Sequence, residues 1–179
     1  MIAFDQPTLV AERVRFADGS SIELRPIGRS DGRLIADFVD QLSPESSHRR
    51  FLSGGRGVRS RWVANLINAD QSDFLVYGAI ATNEFGAALV AVAESIRDPG
   101  DARHAEFALA VTDTWQGLGI GTLLTRHVAR IARSLGVTSW ETYTMTGNVG
   151  MERVMDRVGS RLGSMVEFGL AHSSYQLDV

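Results

Sequence analysis

The chain contains no cysteine and no lysine. The first absence excludes disulfides, thiolate metal ligation and a cysteine nucleophile. The second makes all 18 basic residues arginine. It removes P-loop chemistry, the kinase lysine, a pyridoxal Schiff base and any lysine nucleophile. Histidine is scarce: His48, His104, His127 and His172 are the only four, and no two stand at metal-ligand spacing, so no metal is expected. There are four prolines and no repeat or low-complexity tract, and nothing marks an interdomain linker. The longest apolar run, Ala87 to Ala93, is far too short to span a bilayer. Met1 to Val10 carries Asp5, Pro7 and no basic residue, unlike a signal peptide. A net charge of −3 offers no basic field for nucleic acid or an acidic membrane. A soluble cytoplasmic protein, monomer or homodimer, is expected.

What remains is an ordinary globular composition, 44% hydrophobic and 22% charged over 179 residues. That length predicts one domain, residues 1–179, with 1–20 as an N-terminal extension and first hairpin strand. Arg13 to Phe16 and Ile22 to Ile27 alternate as strands around an Asp18-Gly19 turn. Ser30 and Asp31 read as caps of a helix bearing Leu34, Ile35, Phe38, Val39 and Leu42 on its apolar face. Ser43-Pro44-Glu45 starts a second helix, expected to end near Gly54, Gly55 and Gly57. A third runs from about Arg59 to Ile67. Strands follow at Asp73 to Ala81, Ala87 to Ile96 and Arg103 to Val111, with turns near Asn83 to Gly86 and at Asp98-Pro99-Gly100-Asp101. This is an antiparallel meander. Leu124, Val128, Ile131 and Leu135 mark a helix from about Gly119 to Leu135, stopped by Gly136. A strand at Val137 to Thr144, a helix at Asn148 to Val158 stopped by Gly159, and strands at Met165 to Leu170 and Tyr175 to Val179 complete the chain. The fold class is mixed α/β (α+β), an antiparallel meander plus parallel strands flanked by helices.

The segment that carries chemistry is Gln116-Gly117-Leu118-Gly119-Ile120-Gly121-Thr122, between the third meander strand and the amphipathic helix. Glycine lets backbone approach a ligand, and the first helical N–H groups lack intrahelical acceptors. With the positive end of the helix dipole, the site suits a pyrophosphate. A purely geometric turn is one alternative. A dinucleotide fingerprint is another, and it fails: the third glycine is misplaced, Thr112 to Gln116 separate strand from loop, and Glu141 lies inside its strand.

The third reading is Q-x-x-G-x-G, and here the sequence resembles the GNAT N-acetyltransferase superfamily. Phe107 to Val111 followed by Gln116 matches that family's cofactor strand and loop, and Asn148 with its helix matches the later asparagine-led helix. Leu24-Arg25-Pro26-Ile27 and Leu42-Ser43-Pro44-Glu45-Ser46 with Arg50-Phe51 look like the catalytic domain of bacterial Pat-type protein-lysine acetyltransferases. In that group a regulatory domain is often attached.

The resemblance implies a GNAT fold and acetyl transfer from acetyl-CoA to a primary amine, either a protein lysine or a small molecule, by direct attack in a ternary complex. A lysine-type amine is protonated in all but roughly one molecule in two thousand at pH 7. Glu106, ten residues before Gln116, is then the expected general base, its pKa raised by apolar neighbours. His104 could relay the proton through water. Backbone groups of Leu109 and Val111 are expected to hold the pantetheine arm and polarise the thioester carbonyl. Gln116, Gly117, Gly119, Gly121 and Thr122 would cradle the pyrophosphate, and Asn148 would meet the cofactor near its sulfur end. Where many members carry a thiolate-protonating tyrosine, this chain has Met155; Tyr143 and Tyr175 are the other candidates. The cluster Arg49, Arg50, Arg56, Arg59 and Arg61 reads as a solvated basic face or a surface for an acidic acceptor. The rival class is a non-catalytic acyl-CoA-binding module.

Overall fold

The structure, a computed structural model, describes residues 11–15, 20–52, 56–83 and 86–178. Eight strands form one sheet: β1 (Glu12–Arg15), β2 (Ser21–Pro26), β3 (Phe74–Asn83), β4 (Gly86–Arg97), β5 (His104–Val111), β6 (Ser139–Met145), β7 (Gly159–Glu167) and β8 (Leu170–Leu177). Their spatial order is β1-β2-β3-β4-β5-β6-β8-β7. Every neighbouring pair is antiparallel except β5 and β6. The crossover between those two is α4 (Ile120–Ser134), as a parallel connection requires. The remaining helices are α1 (Gly32–Gln41), α2 (Pro44–Phe51), α3 (Arg56–Ile67) and α5 (Val149–Met155).

Helices lie on both faces, so the central strands are buried on both. β4 is buried without a break from Leu89 to Ser95. One core joins α4 to the sheet through Leu124, Val128, Tyr77, Phe107 and Trp140. The other joins α1 and α3 through Phe38, Trp62, Leu66, Val76 and Val92. Phe107 and Trp140 stack at 4.1 Å across the parallel pair, which fixes β5 against β6 at that level. A bulge in β4 shifts the register from Ala79↔Ala91 to Ile80↔Leu89. The bulged Val90 carbonyl accepts the Thr112 N–H at 2.9 Å, where β5 ends and the glycine-rich connection begins.

Several local expectations change. Asp31 stands at the N-cap of α1, but its buried carboxylate makes no capping bond there; it accepts from Arg25 at 2.6 Å and from the Gly28 N–H at 3.0 Å. The arginine fork takes the oxygens a cap would use. α2 stops at Phe51, with Leu52 left-handed at φ 55°, and Gly57 lies inside α3, which begins three residues earlier than its apolar pattern. Gly159 does not stop a helix. α5 ends at Met155, and Gly159 opens β7, where a Cβ would come 2.2 Å from the Gln176 carbonyl oxygen. The final strands are longer and lie earlier than expected, joined by a turn at Phe168-Gly169, where φ is positive at both. Ser43 does cap α2, accepting the Ser46 N–H at 3.1 Å. Gly136 ends α4 at φ 94°. The Asp18-Gly19 turn, Gly54 and Gly55 lie outside the described residues, as does the tip of the Asn83 to Gly86 turn.

Candidate active site

The parallel pairing of β5 and β6 covers only His104–Glu106 against Ser139–Glu141. Beyond it β5 stays with β4 as far as Val111, and β6 stays with β8. The two strands therefore splay apart. Backbone bonds of antiparallel partners alternate. Asp98 with His104 and Val90 with Thr112 are bonded pairs toward β4, so the even-numbered residues between them point their N–H and C=O groups at β4. Phe107, Leu109 and Val111 then present theirs to the gap left by β6. A strand edge exposed inside a fold is a template for an extended ligand.

This gap opens into a cavity of about 380 Å³. Its floor is β5. One end is the connection from Val111 to α4, where Gly117 and Gly119 take φ 75° and 84°. Gly119 is the N-cap of α4 and no side chain caps that end. The first helix bond inside it runs from the Leu123 N–H to the Gly119 carbonyl, at 3.0 Å. The N–H groups of Ile120, Gly121 and Thr122 are accordingly left for a ligand, an arrangement suited to a polyanion. Gly121 has a further reason to be glycine: a Cβ there would meet Leu109 at 3.1 Å and Val111 at 3.4 Å. Its smallness lets α4 close onto β5. Asn148, by contrast, caps α5 with its Oδ1, accepting the Met151 N–H at 3.2 Å. All eight residues expected at a cofactor, namely Leu109, Val111, Gln116, Gly117, Gly119, Gly121, Thr122 and Asn148, line this one cavity.

Gln116 is fixed from two sides, donating to the Val111 carbonyl and to Ser46 Oγ, both at 3.0 Å. Ser46 in turn donates to Asp113 at 2.9 Å, and Asp113 accepts the Ser43 N–H and hydroxyl at 3.0 and 2.8 Å. These bonds, the Ser43 N–H first, hold the Asp113 carboxyl below its ordinary pKa. The clasp ties the start of α2 to the loop and makes α2 a wall of the cavity. Sequence spacing gave no sign of it, because its members are about 70 residues apart.

Glu106 immediately precedes the cavity-lining Phe107 and does not itself line the cavity; it stands where β5 and β6 still touch. Its tip is exposed, yet the surrounding protein desolvates it enough to raise its pKa, and the Glu94 and Glu141 carboxylates push the same way. Arg50 opposes them. His104 is engaged elsewhere, with Nδ1 2.5 Å from Ser139 Oγ and Nε2 3.5 Å from Asp101. Met155 is fully buried in the α4-side core, as is Tyr175, whereas Tyr143 is 46% exposed and stands on the cavity wall.

Among its described side chains, the arginine cluster does not form one basic face. Arg49 pairs with Glu45 at 2.5 Å and Arg59 donates to Ser47 at 2.6 Å. Arg50 turns inward to the buried Glu94, which also accepts the Trp62 indole N–H at 2.7 Å. The Arg50 guanidinium lies 5.1 Å from the Trp62 ring centroid. The arginines that do face the cavity beside Arg49 and Arg50 are Arg153 and Arg157, at its α5 side. Neither carries a sequence signal that marks it.

A splayed parallel pair, an uncapped glycine-led helix and one cavity between them match a known family. The profile of the acetyltransferase (GNAT) family aligns with residues 40–159. The chain belongs to that family. It is 29% identical over 147 residues to Acetyltransferase Pat of Mycolicibacterium smegmatis, covering 82% of this chain and 43% of that one. It thus spans less than half the length of that relative. An acetyltransferase of Pseudomonas aeruginosa is 25% identical over 150 residues, covering 79% of this GNAT chain and 76% of its own. The crystal structure of the GNAT domain of S. lividans PAT superposes with a TM-score of 0.78 at 26% identity, over 93% of this chain and 97% of that one. Among the described residues no helix is long and apolar enough to cross a membrane.

Proposed function

We propose that this GNAT domain transfers an acetyl group from acetyl-CoA to a primary amine, with a protein lysine favoured over a small molecule. The observation that carries this is the splay of β5 from β6 beside the uncapped start of α4. Bound acetyl-CoA would supply the activated acyl group as a thioester. The Gly119 turn and the N–H groups of Ile120, Gly121 and Thr122 would take its pyrophosphate, with Gln116 and Gly117 shaping the loop. Leu109 and Val111 would bond the pantetheine arm through their backbone, as an added strand, and an N–H there would polarise the carbonyl. Asn148, fixed by its capping bond, would border the sulfur end.

Glu106 would be the general base. Its raised pKa makes it a better proton acceptor than an ordinary carboxylate. The N–C bond forms as the thioester C–S bond breaks; of the two protons the ammonium nitrogen gives up, one goes to Glu106 and one leaves with the thiol. With no cysteine or lysine to hold the acyl group, transfer would be direct within a ternary complex. A protein acceptor is favoured by the open sheet beyond the cavity. There Tyr143 and Met165 share one face through the register Tyr143↔His172↔Met165, and they are 46% and 60% exposed.

The test is thiol release from acetyl-CoA with a panel of primary amines, lysine peptides and cell lysate. Amine-dependent release is expected. Tight acetyl-CoA binding without release from any acceptor would make the chain a binding module instead.

A further inference from the structure

Glu106 does not stand alone at the end of the cavity. Its register partner across the parallel pair is Glu141, and residues in register project to the same face. Like charges side by side are unfavourable in a sheet, so what holds Glu141 there matters. Its Oε2 lies 3.1 Å from His172 Nε2 without hydrogen-bond geometry, and accepts a long hydrogen bond from the Tyr143 hydroxyl at 3.4 Å. Tyr143 and His172 are themselves in register on β6 and β8. Their rings stack at 4.5 Å with 4° between planes. Both contacts fall on Oε2.

We propose that Glu141 is an acceptor-binding residue, taking a hydrogen bond from the incoming ammonium through Oε1 while Glu106 takes the proton. This rests on Glu106 as the base. An alkylammonium has three N–H donors, and two remain after Glu106 has removed one proton. A bond from one of those to Glu141 fixes rotation about the C–N axis and so the direction of the lone pair. The Tyr143–His172 stack holds the carboxylate still for that task. A hydroxyl acceptor has one hydrogen and cannot serve both carboxylates, so the pair selects amines.

The groups that act on Glu106 are Arg50 from α2, Glu94 from β4 and Glu141 from β6, the last with His172 and Tyr143 around it. Glu141 raises the Glu106 pKa, so neutralising Glu141 moves the acidic limb of kcat/KM to lower pH.

The experiment compares wild type, Glu141→Gln and Glu106→Gln with n-butylammonium as the probe and n-butanol as its control. Binding to the complex with CoA, which carries no acyl group to transfer, is followed by NMR titration, and turnover by thiol release from acetyl-CoA. Glu141→Gln is expected to weaken butylammonium binding and raise its KM about tenfold, the ratio between hydrogen bonds to charged and neutral acceptors. Its kcat should fall as well, because the lone pair is no longer firmly directed, and its acidic limb should move to lower pH. Butanol should bind all three proteins equally poorly. Unchanged amine binding in Glu141→Gln, or no binding by the wild type, overturns the proposal. A Glu106→Gln protein with wild-type turnover defeats the base assignment separately, because amine binding by Glu141 is read without chemistry.

Discussion

Arg50 and Glu94 provide a quantitative test of how α2 is held against the sheet beside Glu106. Glu94 is 3% exposed on a strand buried on both faces, and its Oε1 accepts from both Arg50 and Trp62. Replacing Arg50 with methionine keeps much of the stem volume and leaves a buried carboxylate with one neutral donor. Breaking a buried pair from one side typically costs about 3–5 kcal/mol. For a chain of this size that is a fall in Tm of roughly 6–20 °C. The double variant Arg50→Met/Glu94→Gln removes both charges and retains an acceptor for the Trp62 indole. It should recover at least about 2 kcal/mol of the sum of the two single losses. Urea denaturation of the four proteins, with m-values checked for a common unfolding transition, gives the cycle. Arg50→Met within about 0.5 kcal/mol of wild type, the usual error of such a cycle, or strictly additive singles, would refute a buried pair in this role.

Three further outcomes follow from the same geometry. Gly119→Asp should fold and lose acetyl-CoA binding, since it forces a side chain into φ 84° and sets a carboxylate at the uncapped start of α4; calorimetry with acetyl-CoA on the folded variant checks this. Gly159→Ala should be strongly destabilised, because its Cβ would meet the Gln176 carbonyl at 2.2 Å and must part β7 from β8; thermal unfolding measures it. Asp31 is held below its ordinary pKa by Arg25, chiefly through their hydrogen bond, so its contribution is present above the unfolded value near 3.9 and is lost as pH falls through the lower folded one. The stability gap between wild type and Asp31→Asn should therefore narrow below about pH 4, as seen by denaturation at stepped pH.

The elements of the sheet were legible in the sequence where period and punctuation agreed. β5, with alternating small and large apolar residues, and α4, with its i, i+4 stripe and Gly136, fall within one or two residues of expectation. The C-terminal hairpin was not legible. β7 is exposed along nearly its whole length, so no buried alternation marks it, and Gly159 is required by a strand contact rather than a helix end. The loop residues Gln116 to Thr122 were readable because a glycine-led helix start is a local signal, whereas Arg153 and Arg157 on the α5 side of the cavity were not. The Asp113–Ser43 clasp, the Arg50–Glu94–Trp62 cluster and the Glu141–His172–Tyr143 group were not, since each joins segments that only the sheet order brings together. The Asp31 carboxylate, at the N-cap of α1, makes no capping bond for the same reason: its partner Arg25 lies on another element.

The central claim is that Glu106 removes the ammonium proton. Its most direct test is the pH–rate profile of wild type and Glu106→Gln, with acetyl-CoA affinity determined separately. Glutamine preserves the size and cannot accept that proton, so turnover should fall roughly 10²–10⁴-fold with cofactor affinity nearly intact. The wild-type profile should rise along an acidic limb set above the ordinary carboxylate range, as the raised pKa of Glu106 requires. The variant should lack that limb, and its defect should shrink at high pH as more acceptor arrives neutral. A variant that keeps wild-type turnover from about pH 6 to 9, the window in which a general base matters most for such an amine, would reduce Glu106 to a strand carboxylate.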